Sequence, residues 1–189
     1  MSLTNVLPEG TKLSVSTTLP GSSKKHLLSP SSSSGENPPW SSTAPSSLQL
    51  YFPTPVAATH VAFTFQGGFV GTSVSVWAAE EKDAEKEGII RLGLELGGKI
   101  YPEDRNKRQI FEQVLFYTND SLHGLLTSVY RIPFPPSGAL PSELEAKGAA
   151  CDNTSGLPLL KELKFEFDKS SDQYGRITLY SVEILGPST

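Results

Sequence analysis

The chain has 189 residues, 37% of them hydrophobic and 19% charged, with 16 glycines and 15 prolines. That is enough apolar material for one domain with a single core and many turns. A formal net charge of −4 excludes a broadly basic nucleic-acid surface. The dense basic clusters are confined to Lys24-Lys25-His26 and the stretch Arg105–Arg108.

Residues 1–47 are dominated by Ser, Pro and Gly, and Ser29–Ser34 is five serines and a proline. Such a stretch buries too little apolar surface to order itself and reads as a loop. Leu48–Phe52 is a short apolar strand, predicted to end at Pro53 and Pro55 because proline lacks the ladder donor. From His60 to Gln66, Val61, Phe63 and Phe65 alternate with Ala62, Thr64 and Gln66, the period-two mark of a half-buried strand. Gly67-Gly68 stops it. Ser73–Trp77 alternates again, with Val74 and Val76 on one side.

Glu80–Glu87 is a charged run, read as a solvated excursion. Ile89–Leu96 and Gln109–Tyr117 return to strand character, and Arg131–Leu160, rich in Pro, Gly and Ala, reads as a long insertion. Leu163, Phe165 and Phe167 then alternate with Lys164, Glu166 and Asp168. After a polar turn, Lys169–Gln173, comes a long strand, Arg176–Leu185. Its parity changes, since Ile177 and Leu179 share one side while Val182 and Ile184 share the other. A bulge near Tyr180-Ser181, or burial of both sides, would account for this. Seven or eight short strands with no long amphipathic helix predict an all-β sandwich, jelly roll or barrel. One domain over residues 1–189 is expected, with loop insertions near 29–37, 79–88 and 131–160.

No nucleophile elbow, phosphate-binding loop or dinucleotide fingerprint occurs, so no enzyme is expected. His26, His60 and His123 are scattered singly. A single cysteine, Cys151, has no internal disulfide partner. With no signal-peptide run after Met1, it points to the cytoplasm or nucleus. No run is long enough to span a membrane. The adjacent carboxylates Glu103 and Asp104 are candidate calcium ligands, or else form a charged turn after Tyr101-Pro102.

Several strings, taken in order, resemble a known family. They are Lys24-Lys25-His26-Leu27, Pro39-Trp40-Ser41-Ser42, Phe65-Gln66-Gly67-Gly68-Phe69, Tyr101-Pro102-Glu103-Asp104, Leu163-Lys164-Phe165, Tyr174-Gly175-Arg176 and Tyr180–Gly186. The set is similar to the nuclear-receptor-associated protein family, the repressors associated with a testicular orphan receptor. That family lies in the discoidin, or coagulation factor C-type, galactose-binding-like superfamily. The resemblance implies a galactose-binding-like jelly-roll sandwich of about eight antiparallel strands. It also implies a non-enzymatic protein-interaction adaptor in nuclear-receptor regulation, with no cofactor except a structural calcium. By fold analogy the alternative is a lectin-like module that binds a glycan or small ligand at loops on one end.

The candidate binding residues follow from these strings. Trp40 either plugs one end of the sandwich or offers a stacking platform. Gln66, Gly67, Gly68 and Phe69 form a tight turn or a ligand loop. Tyr174 and Arg176 open the last strand, where Arg176 either pairs with Asp168 or Asp172 or presents its fork to an anion. Lys25 and His26 form a solvated corner or meet an acidic partner.

Overall fold

The computed structural model describes residues 2–29, 38–80, 95–112 and 159–187. All of them fall in one compact unit, Met1–Leu115 with Pro158–Thr189, while a second unit, Phe116–Leu157, lies outside the described residues. Outside them too lie most of the serine-rich stretch, the charged run after Glu80, Ile89–Arg91, Gln113–Tyr117, Cys151, His123 and nearly all of the 131–160 tract.

The described residues form ten strands and no helix. They are β1 (Leu3–Asn5), β2 (Lys12–Val15), β3 (Trp40–Thr43), β4 (Ser46–Val56) and β5 (His60–Phe65), followed by β6 (Gly71–Glu80), β7 (Glu95–Ile100), β8 (Arg108–Glu112), β9 (Leu160–Ser170) and β10 (Arg176–Pro187). Every pairing is antiparallel. One five-stranded sheet runs β1-β10-β5-β8 with β3 also on β10, and the other runs β2-β4-β9-β6-β7. The expected two-sheet sandwich is present. The added strands β1, β2 and β3 are three or four residues each, too short to show periodicity.

The core lies between the sheets, and the period-two residues fill it. Phe63 and Phe65 of the first sheet meet Phe165 and Phe167 of the second, all fully buried. Phe63 stands edge-on to Phe165 at 5.1 Å between centroids and to Phe167 at 6.1 Å, the geometry that ring quadrupoles favour. The parity change in β10 is a bulge. Its register against β5 shifts between Leu179 and Ser181, so Ile177, Leu179, Val182 and Ile184 all point into the core.

Two strand limits differ from expectation. Pro53 and Pro55 do not end β4. Its register with β9 jumps from Tyr51↔Glu162 to Val56↔Leu160, so the prolines occupy an irregular stretch where no ladder donor is required. β7 runs on to Ile100, beyond the expected end at Leu96, while Ile89–Leu94 lie outside the described residues.

The registers set four connections at one end of the sandwich. Arg176 opens β10 opposite Thr43 at the end of β3, and Arg108 opens β8 opposite Thr64 near the end of β5. In the other sheet Gly71 opens β6 opposite Ser170 at the end of β9, and Ser46 opens β4 opposite Phe167. The links at 44–45, 66–70, 101–107 and 171–175 therefore share this end. Outside the core, Arg108 crosses over the small Ala62 to make two 2.8 Å bonds with Glu183. The hydrogen bonds to Glu183 raise the Arg108 pKa above its ordinary value despite partial desolvation.

Candidate functional site

The four loops touch in a continuous row. Gln66–Phe69 is a turn closed by the Phe69 N–H donating to the Gln66 carbonyl at 3.1 Å. Gly68 adopts φ of 81°, which its third position in a type II turn requires and which a side chain disfavours. Its N–H donates to Asp104 Oδ1 at 2.7 Å. Gly67 sits so near the next loop that a Cβ would stand 3.4 Å from the Asn106 nitrogen. These two glycines join the 66–70 loop to the 101–107 loop, which is itself braced by Gln109 bonding the N–H and carbonyl of Glu103.

On the other flank, Phe69 meets the 171–175 loop. The Phe69 carbonyl accepts from Thr178 N–H at 2.9 Å. The Arg176 guanidinium carbon lies 4.6 Å from the Phe69 ring centroid, a cation–π contact. Asp172 organises this loop. Its Oδ2 accepts from the N–H groups of Tyr174 at 3.2 Å and Arg176 at 3.0 Å, with Arg176 Nε at 3.5 Å. Asp172 is thus the partner of Arg176, and Asp168 instead meets Lys99 at 3.3 Å. Gly175 then ties the row to the 44–45 link, its carbonyl accepting from Ala44 N–H at 2.8 Å.

The structure therefore brings together Gln66, Gly67, Gly68, Phe69, Asp104, Tyr174 and Arg176. Tyr174 is 72% exposed at the tip, and among the described residues no acceptor takes the terminal nitrogens of Arg176. The row as a whole can hold a planar or anionic group against Arg176 and Tyr174. Tyr101 and Asp172, both singled out in the sequence, also belong to this end, as does Asn106, which gave no sequence signal of its own.

The structure chooses between the readings of Trp40, places Lys25 and His26 elsewhere, and corrects the calcium assignment. Trp40 has 0% exposure, and its indole N–H donates to the Thr17 carbonyl at 3.0 Å. It packs on Phe167 at 6.0 Å and cannot stack on a ligand, so the plug reading holds. Lys25 and His26 stand apart from the loop row. The next residue, Leu27, accepts from Val182 N–H midway along β10, six residues or about 20 Å from Arg176. They lie along the side of the sandwich, in the gap on β10 between β3 and β1. Glu103 and Asp104 do not fit a calcium cage. The Glu103 carboxylate rests on the Arg105 guanidinium, Asp104 serves Gly68 N–H, and no group of three His, Cys, Asp or Glu converges among the described residues.

Solved structures place this architecture. The family 32 carbohydrate-binding module of Clostridium perfringens NanJ, solved with galactose, superposes with a TM-score of 0.57 at 10% identity, covering 98% of this chain and 100% of that one. An F5/8 type C domain from Bacteroides fragilis superposes with a TM-score of 0.58 at 12% identity, over 99% and 98% of the two chains. The fold is galactose-binding-like.

In sequence, the chain is 28% identical over 137 residues to the nuclear receptor 2C2-associated protein of Danio rerio. The match covers 72% of this chain and 62% of that protein, less than two thirds of the relative's length. The resemblance read from the short strings is matched by this similarity. No family model matches the chain.

Proposed function

We propose that the chain is a non-catalytic binding module that takes a protein partner on the loop end of its sandwich. It acts as an adaptor in the cytoplasm or nucleus, after the manner of a nuclear-receptor-associated repressor. The observation that carries this reading is the pair Tyr174 and Arg176. Tyrosine and arginine dominate binding energy at protein interfaces. Asp172 and Phe69 hold Arg176 in place before any partner arrives, so little side-chain freedom is lost on binding. Depressions beside Leu7 and Leu28 and beside Val61 and Val76 lie away from this end. The exposed Tyr174 and the pre-held Arg176 suit contact with a surface.

The similarity to a receptor-associated protein supports a protein partner, and a nuclear receptor is the specific one its name supplies. The net charge of −4 disfavours nucleic acid and anionic membrane surfaces. A glycan at the same loops is the second reading, favoured by Phe69, Arg176 and Asn106 on one rim and by the carbohydrate-binding modules that share the fold.

The test compares partner capture by the wild-type chain with capture by the Tyr174→Ala/Arg176→Ala double variant. A partner retained by the first and lost at least about a hundredfold by the second is the expected result. Equal capture by both would remove the loop end from consideration. A glycan panel run with the same pair decides the second reading.

A further inference from the structure

The outward side of the second sheet carries two aromatic rings that the loop end does not use. In β9, Glu162, Lys164, Glu166 and Asp168 alternate with the core residues Leu163, Phe165 and Phe167, so they face away from the core. The register sets Trp77 and Gln49 on either side of Lys164, and Ala79 and Tyr51 on either side of Glu162. Trp77 is half-buried, and its indole N–H donates to Glu166 Oε2 at 2.8 Å. Glu166 is one row along, beside Ser75, so the indole leans over that row. Ser75 faces outward yet is only 5% exposed.

The register of β6 with the edge strand β7 shifts between Val76 and Trp77, so the backbone of Leu96 lies opposite Trp77. Tyr51, 41% exposed, stands two strands and two residues from Trp77, about 12 Å by strand spacing and rise.

Among the described residues, the charged groups on this side bond one another or a neighbouring amide. Lys164 meets Glu166 at 2.6 Å, Lys99 meets Asp168 at 3.3 Å, and the Gln49 amide bonds Glu162. A surface paired in this way has little net field to attract an ion. Among the described residues, its two rings are separated and form no contiguous apolar area of the kind a protein partner needs. A neutral pyranose satisfies both conditions. Its C–H side stacks on an indole, and its hydroxyls bond to carboxylates, ammonium groups and amides already held in place.

We propose that the outward side of the second sheet, centred on Trp77 with Tyr51 at its far end, binds a short neutral oligosaccharide, separately from the loop end. The chain has two tryptophans, and Trp40 is fully buried, so a sugar-induced change in emission reports Trp77. Titrating the full chain with cellobiose, maltose, lactose and their longer homologues is expected to give a saturable change with at least one series. By calorimetry, Trp77→Ala is expected to weaken binding at least about tenfold. Tyr51→Ala weakens it too, and Arg176→Ala leaves it intact. Circular dichroism checks each fold, and Tyr51→Ala carries the comparison if Trp77→Ala does not fold. Three results would overturn the proposal: no response to any series, wild-type affinity in both aromatic variants, or loss of binding in Arg176→Ala. The last would move the sugar to the loops and leave the proposed loop-end function standing.

Discussion

Trp40 shows how one side chain can look like a ligand platform and serve as a structural plug. It follows two prolines in the sequence, but β3 pairs with β10 and turns the ring onto Phe167. Trp40→Ala would open a cavity and orphan the Thr17 carbonyl. The expected loss is about 3–5 kcal/mol of unfolding free energy, measured by urea denaturation. A loss below about 1 kcal/mol would mean that the ring is not core. Asp172 illustrates the opposite case, an acidic loop residue whose carboxylate orders the segment carrying Arg176. Asp172→Ala is expected to lower partner affinity several-fold through Arg176, with a readable rise in hydrogen exchange at Tyr174 and Arg176 and little change elsewhere. Unchanged exchange there would mean that Asp172 does not order the loop.

At the scale of elements, β10 holds the first sheet together, because β1, β3 and β5 all pair with it. Its end is closed tightly. A Cβ at Gly186 would lie 2.4 Å from the Ala57 carbonyl oxygen and 2.9 Å from Val6 Cγ1. Gly186→Ala is therefore expected to destabilise by about 1–3 kcal/mol, since backbone must move, and thermal unfolding at a fixed protein concentration would show it. The strands that were legible in the sequence are those with strong alternation and aromatic residues, namely Val61–Phe65 and Leu163–Phe167. The bulge at Tyr180 was legible as well, because burial of both pairs around it demands a change of parity. Pro53 and Pro55 misled because a proline ends a strand only where a ladder acceptor awaits its missing donor. The strands β1 and β2 were invisible because their order comes from the partners β10 and β4 rather than from their own residues.

For the whole molecule, the described strands build one core cluster from their own side chains. Replacing 116–157 with a short Gly/Ser linker joins β8 to β9 at the end away from the four loops. Loop closure costs little at such lengths, so a single cooperative transition is expected by thermal unfolding, and loss of cooperativity would mean that the segment completes the core. The fold was readable in advance because period-two burial is a local property of sequence. The site was readable only in fragments. Gln66–Phe69, Asp104 and Tyr174–Arg176 are far apart in sequence and meet only because four antiparallel links share one end, and nothing local separates them from Lys25 and His26 on the side.

The central claim, that a partner is taken on that end, is tested most directly by photo-crosslinking from two positions. One chain would carry a photoreactive amino acid in place of Tyr174, the other in place of Ile110, which is 47% exposed on the outer side of β8. The expected result is a discrete crosslinked partner from position 174 and none from position 110. A crosslink from 110 alone would contradict the account and move the interface to the outer side of the first sheet.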